Sequence, residues 1–291
     1  MKRHIVSILI TACLCCTTAC DRDEMSDGTI FDTSVPYRNE VDQWLYNNFT
    51  LPYNIDVKYK WEDLESAMTY DLSPASADNA YKLAKIIHFV WLEAYVEVAG
   101  KDFIRTYVPK QILMVGSPAY NADSQTTTLG TAEGGLKVNL YDVNSISRFM
   151  DQPQVLNDRY FHTMHHEFSH ILHQTKNYDT TFKTITESDY VGSQWETYTA
   201  KPDEANRKGF VTAYAMDQPD EDFAEVISTY VTNDQAYWDS LLVVAGPTGA
   251  PLIRQKFDIV EKYMLTYWNI DLTELRRTVL RRSAQVGQLE Y

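Results

Sequence analysis

Residues His166-Glu167-Phe168-Ser169-His170 form the stretch of this chain best suited to chemistry. Residues four apart on an α-helix share a face, so the imidazoles of His166 and His170 can both reach one metal ion. Glu167 lies one residue on, where its carboxylate can sit beside a water at that metal without being a ligand. Two imidazoles and a third protein ligand let zinc keep one position open, and a neighbouring Glu can then act as base toward the water there. The pattern predicts a zinc hydrolase, with a peptidase as the default.

A helix must present these groups. Phe161, Met164, His165, Phe168, Ile171 and Leu172 recur at three- and four-residue steps, the mark of a buried stripe. The expected helix opens at Asn157 or Asp158 and meets no Pro or Gly before Lys176. His162 and His173 extend the same stripe. Each fits a supporting or helix-end role better than ligation, since imidazolium near a helix C-terminus complements the dipole.

The third ligand separates the zinc-protease classes. A metzincin needs Gly at 173 and His at 176, and this chain has His173 and Lys176. A carboxylate on a later helix is the other option. Pro219-Asp-Glu-Asp-Phe-Ala-Glu-Val-Ile-Ser-Thr-Tyr230 begins with N-terminal helix signals and turns apolar. Glu221 and Glu225 share a face, so one can bind the metal while the other hydrogen-bonds a ligand histidine and fixes its tautomer. Which of Glu221, Asp222 and Glu225 ligates stays open on these grounds.

Gly209-Phe-Val-Thr-Ala-Tyr214-Ala, followed by Glu221-Asp-Phe-Ala-Glu225, resembles the second half of the site in lethal-factor-like gluzincins. Within that group the chain is most similar to the substrate import-associated zinc metallohydrolase lipoproteins of Bacteroidota. The resemblance implies Zn2+ held by His166, His170 and Glu221, with Glu167 as general base. It further implies that Glu225 supports a ligand histidine and that Tyr214 donates to the developing oxyanion.

The N-terminus implies export. Lys2 and Arg3 precede an apolar run from Ile5 to Cys16, too short to span a bilayer, which describes a signal peptide over 1–19. Ala19-Cys20 resembles a lipobox, with Cys20 as the lipidated residue of a tether over 20–36. The acidic residues Asp21, Asp23 and Glu24 resemble a surface-export signal. The implied location is the outer membrane, anchored by lipid only, on the cell surface or facing the periplasm. All four cysteines lie in this start, so a folded body from 37 to 291 would hold no disulfide or Cys-metal site.

The formal charge of −14 becomes −16 once Lys2 and Arg3 are lost, which argues against nucleic acid or an anionic lipid surface as partner. Hydrophobic residues at 44% and the absence of low-complexity runs indicate a packed core. A helix is expected over Tyr37–Asn48, a strand over Tyr53–Trp61, and a long helix from Ser73-Pro74 to Gly100. Ile112–Val115 and Leu136–Tyr141 are the best further strands. Taken from Gly134 to Tyr141, the second of these is a candidate edge strand for pairing with extended substrate, though an interior strand fits its pattern at least as well. Aromatic residues over 176–208 could wall a cleft. Three helices follow the Glu221 helix, the last opened by Asp271 with Glu274 and carrying Arg276, Arg277, Arg281 and Arg282 on a solvated face. The fold class is α+β, a gluzincin-like domain with a small mixed sheet, a catalytic centre over 155–230 and C-terminal helices over 231–291.

The implied partners are a peptide or protein substrate and an outer-membrane import complex. Two other readings compete with proteolysis: a catalytically weak zinc-binding accessory of a nutrient importer, and a hydrolase of amides in glycan or cell-wall peptide. Replacing Cys20 by Ser is expected to move the protein from the membrane fraction to the soluble fraction in its host. A variant that stays with the membrane would contradict lipidation at Cys20.

Overall fold

The computed structural model describes residues 37–61, 70–121, 126–128, 130–133 and 137–291. The expected signal peptide, Cys20 and the tether lie outside them. The described body, Asn39–Tyr291, is a single compact unit.

Helix α1 (Glu40–Leu45) opens at Asn39. Its side chain accepts from the Asp42 N–H at 2.8 Å while Asp42 accepts from the Asn39 N–H at 3.1 Å, a reciprocal cap. The chain stays helical past Asn48, through a wide turn at Tyr46–Thr50 and then Leu51–Tyr53, until Asn54 turns left-handed at φ 56°. The strand expected from Tyr53 therefore shrinks to β1 (Asp56–Lys58). Helix α2 (Ala77–Ile87) is capped by Ser76 rather than opened by Ser73-Pro74, and Pro74 bridges Val115 instead. It continues through His88–Leu92 into α3 (Glu93–Ala99), which Gly100 ends at φ 87°, a conformation that disfavours any side chain. Helix α4 (Lys101–Tyr107) then leads back to the sheet.

The strands that follow are β2 (Gln111–Met114), β3 (Ala119–Asn121), β4 (Thr126–Thr128), β5 (Gly130–Glu133) and β6 (Lys137–Leu140). β3 and β4 pair with each other, and the main sheet has the order β1-β2-β6-β5. β1, β2 and β6 run parallel, with Ile112 opposite Val138, and β5 lies antiparallel to β6. Parallel pairing of β1 and β2 needs a long crossover, which α2 to α4 supply. β6 is thus interior, bonded on both sides. The edge strand next to the site helix is β5, and residues 134–136 of the expected strand are not among the described ones.

The helical run to the site starts at Pro153, four residues before Asn157, because a proline without an N–H suits a first turn. It passes a wide turn at Asn157–Phe161 and becomes α5 (His162–Thr175). Phe168 fills the core side of α5, edge-on to Trp91, Tyr95 and Phe103 at ring separations of 5.7, 4.8 and 5.9 Å. Burying such a side chain contributes roughly 1.5–3 kcal/mol and sets the rotation of the helix about its axis. The opposite side of α5 faces the helix over Pro219–Thr232.

Helix α6 (Pro202–Arg207) packs on α8 (Gln235–Trp268) at Gly249, where a Cβ would lie 2.1 Å from the Asn206 carbonyl oxygen. Helix α7 (Pro219–Thr232) has Pro219 in its first turn and makes its most extensive packing against α5. α8 bends at Gly246 (φ 65°, ψ −163°) into two helical pieces, and α9 (Leu272–Ser283) follows, giving the three expected stretches. Asp271 caps α9, and Glu274 pairs with Arg277 at 3.3 Å. The arginine face is only partly solvated. Arg276 is buried over the Tyr230 ring at 4.3 Å and donates to the Asn233 carbonyl at 2.5 Å. Arg281 and Arg282 pair with Glu97 at 2.6 and 2.9 Å. Among the described residues, no helix is long and apolar enough to cross a membrane.

His165 is fully buried on the core side of α5, with Nδ1 3.0 Å from the Tyr95 hydroxyl. Burial, with a smaller contribution from the charge of His162, pushes its pKa down to about 3. Between that value and ~6.5 the unfolded chain binds a proton that the folded chain does not, so His165 makes stability fall as pH falls. His165→Gln should flatten the dependence of unfolding free energy on pH by ~1.4 kcal/mol per unit between about pH 4.5 and 5.5. Parallel profiles from urea melts of parent and variant would contradict a neutral buried His165.

Candidate metal centre

The packing of α5 on α7 brings three side-chain atoms together. His166 Nε2 lies 3.0 Å from Glu221 Oε2, His170 Nε2 lies 3.1 Å from the same oxygen, and the two nitrogens are 3.0 Å apart. Each imidazole is held from behind. His166 Nδ1 is 2.7 Å from Glu225 Oε1, and His170 Nδ1 is 2.8 Å from His173 Nε2. Burial and the charge of His170 push His173 down to about 4, so its neutral ring accepts the Nδ1–H of His170. Those two bonds place protons on the Nδ1 atoms and aim the Nε2 lone pairs at Glu221.

Three electron-pair donors so close together need a positive charge among them. Tetrahedral zinc with ~2.0–2.1 Å bonds would space its ligand atoms by ~3.3 Å, close to the separations here. The residues fit a zinc ion, and without one a proton takes its place. Burial alone would lower His166, yet hydrogen bonds to Glu221 and Glu225 lift it to about 10. Burial alone would likewise raise Glu221, but its bonds to His166 and His170 pull it far below the ordinary carboxylate range.

Of the three acidic residues left open above, Glu221 reaches both Nε2 atoms. Glu225 reaches the other nitrogen of His166 and also accepts from His162 Nε2 at 2.8 Å and from Thr212 Oγ at 2.6 Å. Burial would raise the Glu225 carboxyl, but His162 and His166 hold it well below its usual value. A second cluster is therefore present, formed by His162, His166 and Glu225. Its atoms are hydrogen-bonded pairs, with each nitrogen facing a carboxylate oxygen, and no surplus of lone pairs calls for a cation. Asp222 points away from both clusters into the core, where it meets Lys256 at 2.6 Å.

Glu167 stands beside the centre, with carboxylate oxygen and imidazole nitrogens of His166 and His170 all within 4.8 Å of one another. Burial raises its pKa, and the two imidazoles offset only part of that. Tyr214 packs its ring 5.6 Å from that of His166, with the Glu221 carboxylate near enough to act on its phenol. Burial and Glu221 raise the phenol pKa, so it remains a donor. Trp195 stands edge-on to Tyr214 at 4.9 Å, and Tyr178 stands edge-on to His173 at 5.6 Å. Tyr178 also stacks on Phe223 at 4.0 Å, and Tyr190 donates to Asp222 at 2.8 Å, so both brace α7.

Sequence reasoning missed Thr212, which nothing marks beyond its place two residues before Tyr214. It also missed Lys256, although a lysine within the Ile253, Val260, Met264 stripe of α8 is a legible signal of a buried charge. A metal entering the centre must displace the proton of His166. Because that proton is held up to about pH 10, zinc affinity should rise about tenfold per pH unit over the neutral range, with one proton released per zinc. A chelator-competition series across pH tests this, and an affinity independent of pH would contradict it.

A family model described as "Putative zinc-binding metallo-peptidase" matches residues 35–273, which include both helices of the centre and Tyr214. Among solved structures, the crystal structure of a putative zinc-binding metallo-peptidase from Bacteroides caccae ATCC 43185 superposes with a TM-score of 0.76 at 43% sequence identity. The match covers 90% of this chain and 98% of that one. No curated protein matches the chain. With a family model spanning most of its length and this close structural likeness, the chain belongs to the family described as putative zinc-binding metallo-peptidases.

Proposed function

We propose that this protein is a zinc-dependent hydrolase that cleaves peptide bonds, with His166, His170 and Glu221 as the zinc ligands. The observation that carries the reading is the meeting of His166 Nε2, His170 Nε2 and Glu221 Oε2 within 3.1 Å, with Glu167 and Tyr214 beside them. Zinc bound there would lower the pKa of a water toward ~7 and polarise a carbonyl.

The chain's own groups supply the rest. Glu167, whose raised pKa makes it a better base than an exposed carboxylate, takes the proton of the attacking water and passes it to the leaving amine. The Tyr214 phenol donates to the carbonyl oxygen as negative charge develops on it. Glu225, held by His162 and Thr212, keeps His166 in the tautomer that offers Nε2. The edge strand β5 next to α5 offers main-chain groups to an extended peptide.

In the finer reading the enzyme is a lipoprotein anchored through Cys20 on the outer-membrane surface, working with an import complex that takes up its products. The charged, apolar and lipobox-like start supports that placement. Glu167→Gln is expected to bind one zinc per chain and lose ~10²–10⁴-fold in turnover of a peptide library read by mass spectrometry. A variant as active as the parent would contradict the role of Glu167.

A further inference from the structure

Lys256 has no exposed surface, yet it lies in the apolar stripe of α8 between Ile253 and Val260. Its ammonium group is held on several sides. It lies 2.6 Å from Asp222 Oδ2, donates to the Gly209 carbonyl at 2.8 Å and sits 3.9 Å from the centre of the Phe210 ring. Asp222 is equally buried, and Tyr190 donates to the same oxygen at 2.8 Å.

The two groups that Lys256 joins belong to the two parts of the candidate site. Asp222 is on α7, next to Glu221 and one turn from Glu225. Gly209 opens the segment that carries Thr212 and Tyr214, which has little regular structure. Its backbone is held by buried side chains instead. Lys256 takes the Gly209 carbonyl, and Asn206 donates to the carbonyls of Phe210 and Val211 at 2.9 and 3.1 Å. Burying an ion pair is a poor route to stability, because apolar side chains of the same volume usually serve as well. An apolar side chain cannot hold a carbonyl and a carboxylate at one point.

We propose that Lys256 is a positioning residue of the metal centre: by binding Gly209 and Asp222 together, it fixes the Thr212–Tyr214 segment against the helix that carries Glu221 and Glu225. The proposal rests on the reading of that centre given above. Without the clamp, Thr212 no longer holds Glu225 in register and Tyr214 no longer holds its place beside Glu221.

The test uses Lys256→Met with Asp222→Leu, a double change that removes both charges and leaves neither unpaired, so that the fold is retained. Cobalt(II) alone is the probe, because its visible spectrum reports ligand geometry whether or not any peptide is cleaved. The double variant should melt close to the parent, yet bind cobalt about tenfold more weakly with altered visible bands. Peptide turnover, where the parent shows it, should lose kcat with KM little changed. A double variant with the parent's melting point, cobalt affinity and spectrum would overturn the proposal. Should the double variant not fold, Lys256→Arg keeps the charge pair with Asp222 but replaces the point contact to Gly209 by a longer planar fork. It should shift the cobalt bands, and unchanged bands would overturn the proposal. A parent that binds cobalt but cleaves no peptide would count against proteolysis and leave the cobalt comparison decisive for Lys256.

Discussion

Two helices cross so that three lone-pair donors meet with no proton of their own to share. The triangle formed by His166, His170 and Glu221 is repulsive without a cation, and much of the surrounding structure bears that cost. A positive charge must enter, as a metal ion or as the proton that Glu221 and Glu225 hold on His166 up to about pH 10. Metal binding and proton release are one exchange at this point. The burial that penalises an unpaired charge also strengthens each contact once the charge is paired.

Support comes in layers around that triangle. Phe168 and its aromatic neighbours set the rotation of α5, which aims His166 and His170 at α7. Glu225 and His173 hold the far nitrogens of the two rings, and His162 and Thr212 hold Glu225. Tyr178, stacked on Phe223 and bonded to Asp220, steadies the start of α7. Each layer removes freedom that the layer inside it would otherwise have to lose on binding a metal or a substrate.

The legible part of the structure was the part encoded by local periodicity. The buried stripe around Phe168 marked α5, and Pro219 with its acidic neighbours marked α7. Helix ends were harder to place. The wide turns at Tyr46–Thr50 and Asn157–Phe161 carry helices past the positions where the apolar pattern fades. Strand order was not readable, since it depends on pairing between segments far apart in the chain, and so the interior β6 could be mistaken for an edge. Arg276 looked like part of a solvated face because its charge is visible in sequence, while the ring of Tyr230 and the carbonyl at Asn233 are supplied by other elements. Thr212 acts through one long-range bond, which leaves no local trace.

The central claim is that His166, His170 and Glu221 form the metal site, rather than the adjoining His162, His166 and Glu225. Anomalous diffraction at the zinc edge from crystals grown with zinc separates the two directly. The account predicts one peak bonded to His166 Nε2, His170 Nε2 and a Glu221 oxygen at ~2.0–2.2 Å, with Glu225 still on His166 Nδ1. A peak between His162 and Glu225, or none at saturating zinc, would contradict it.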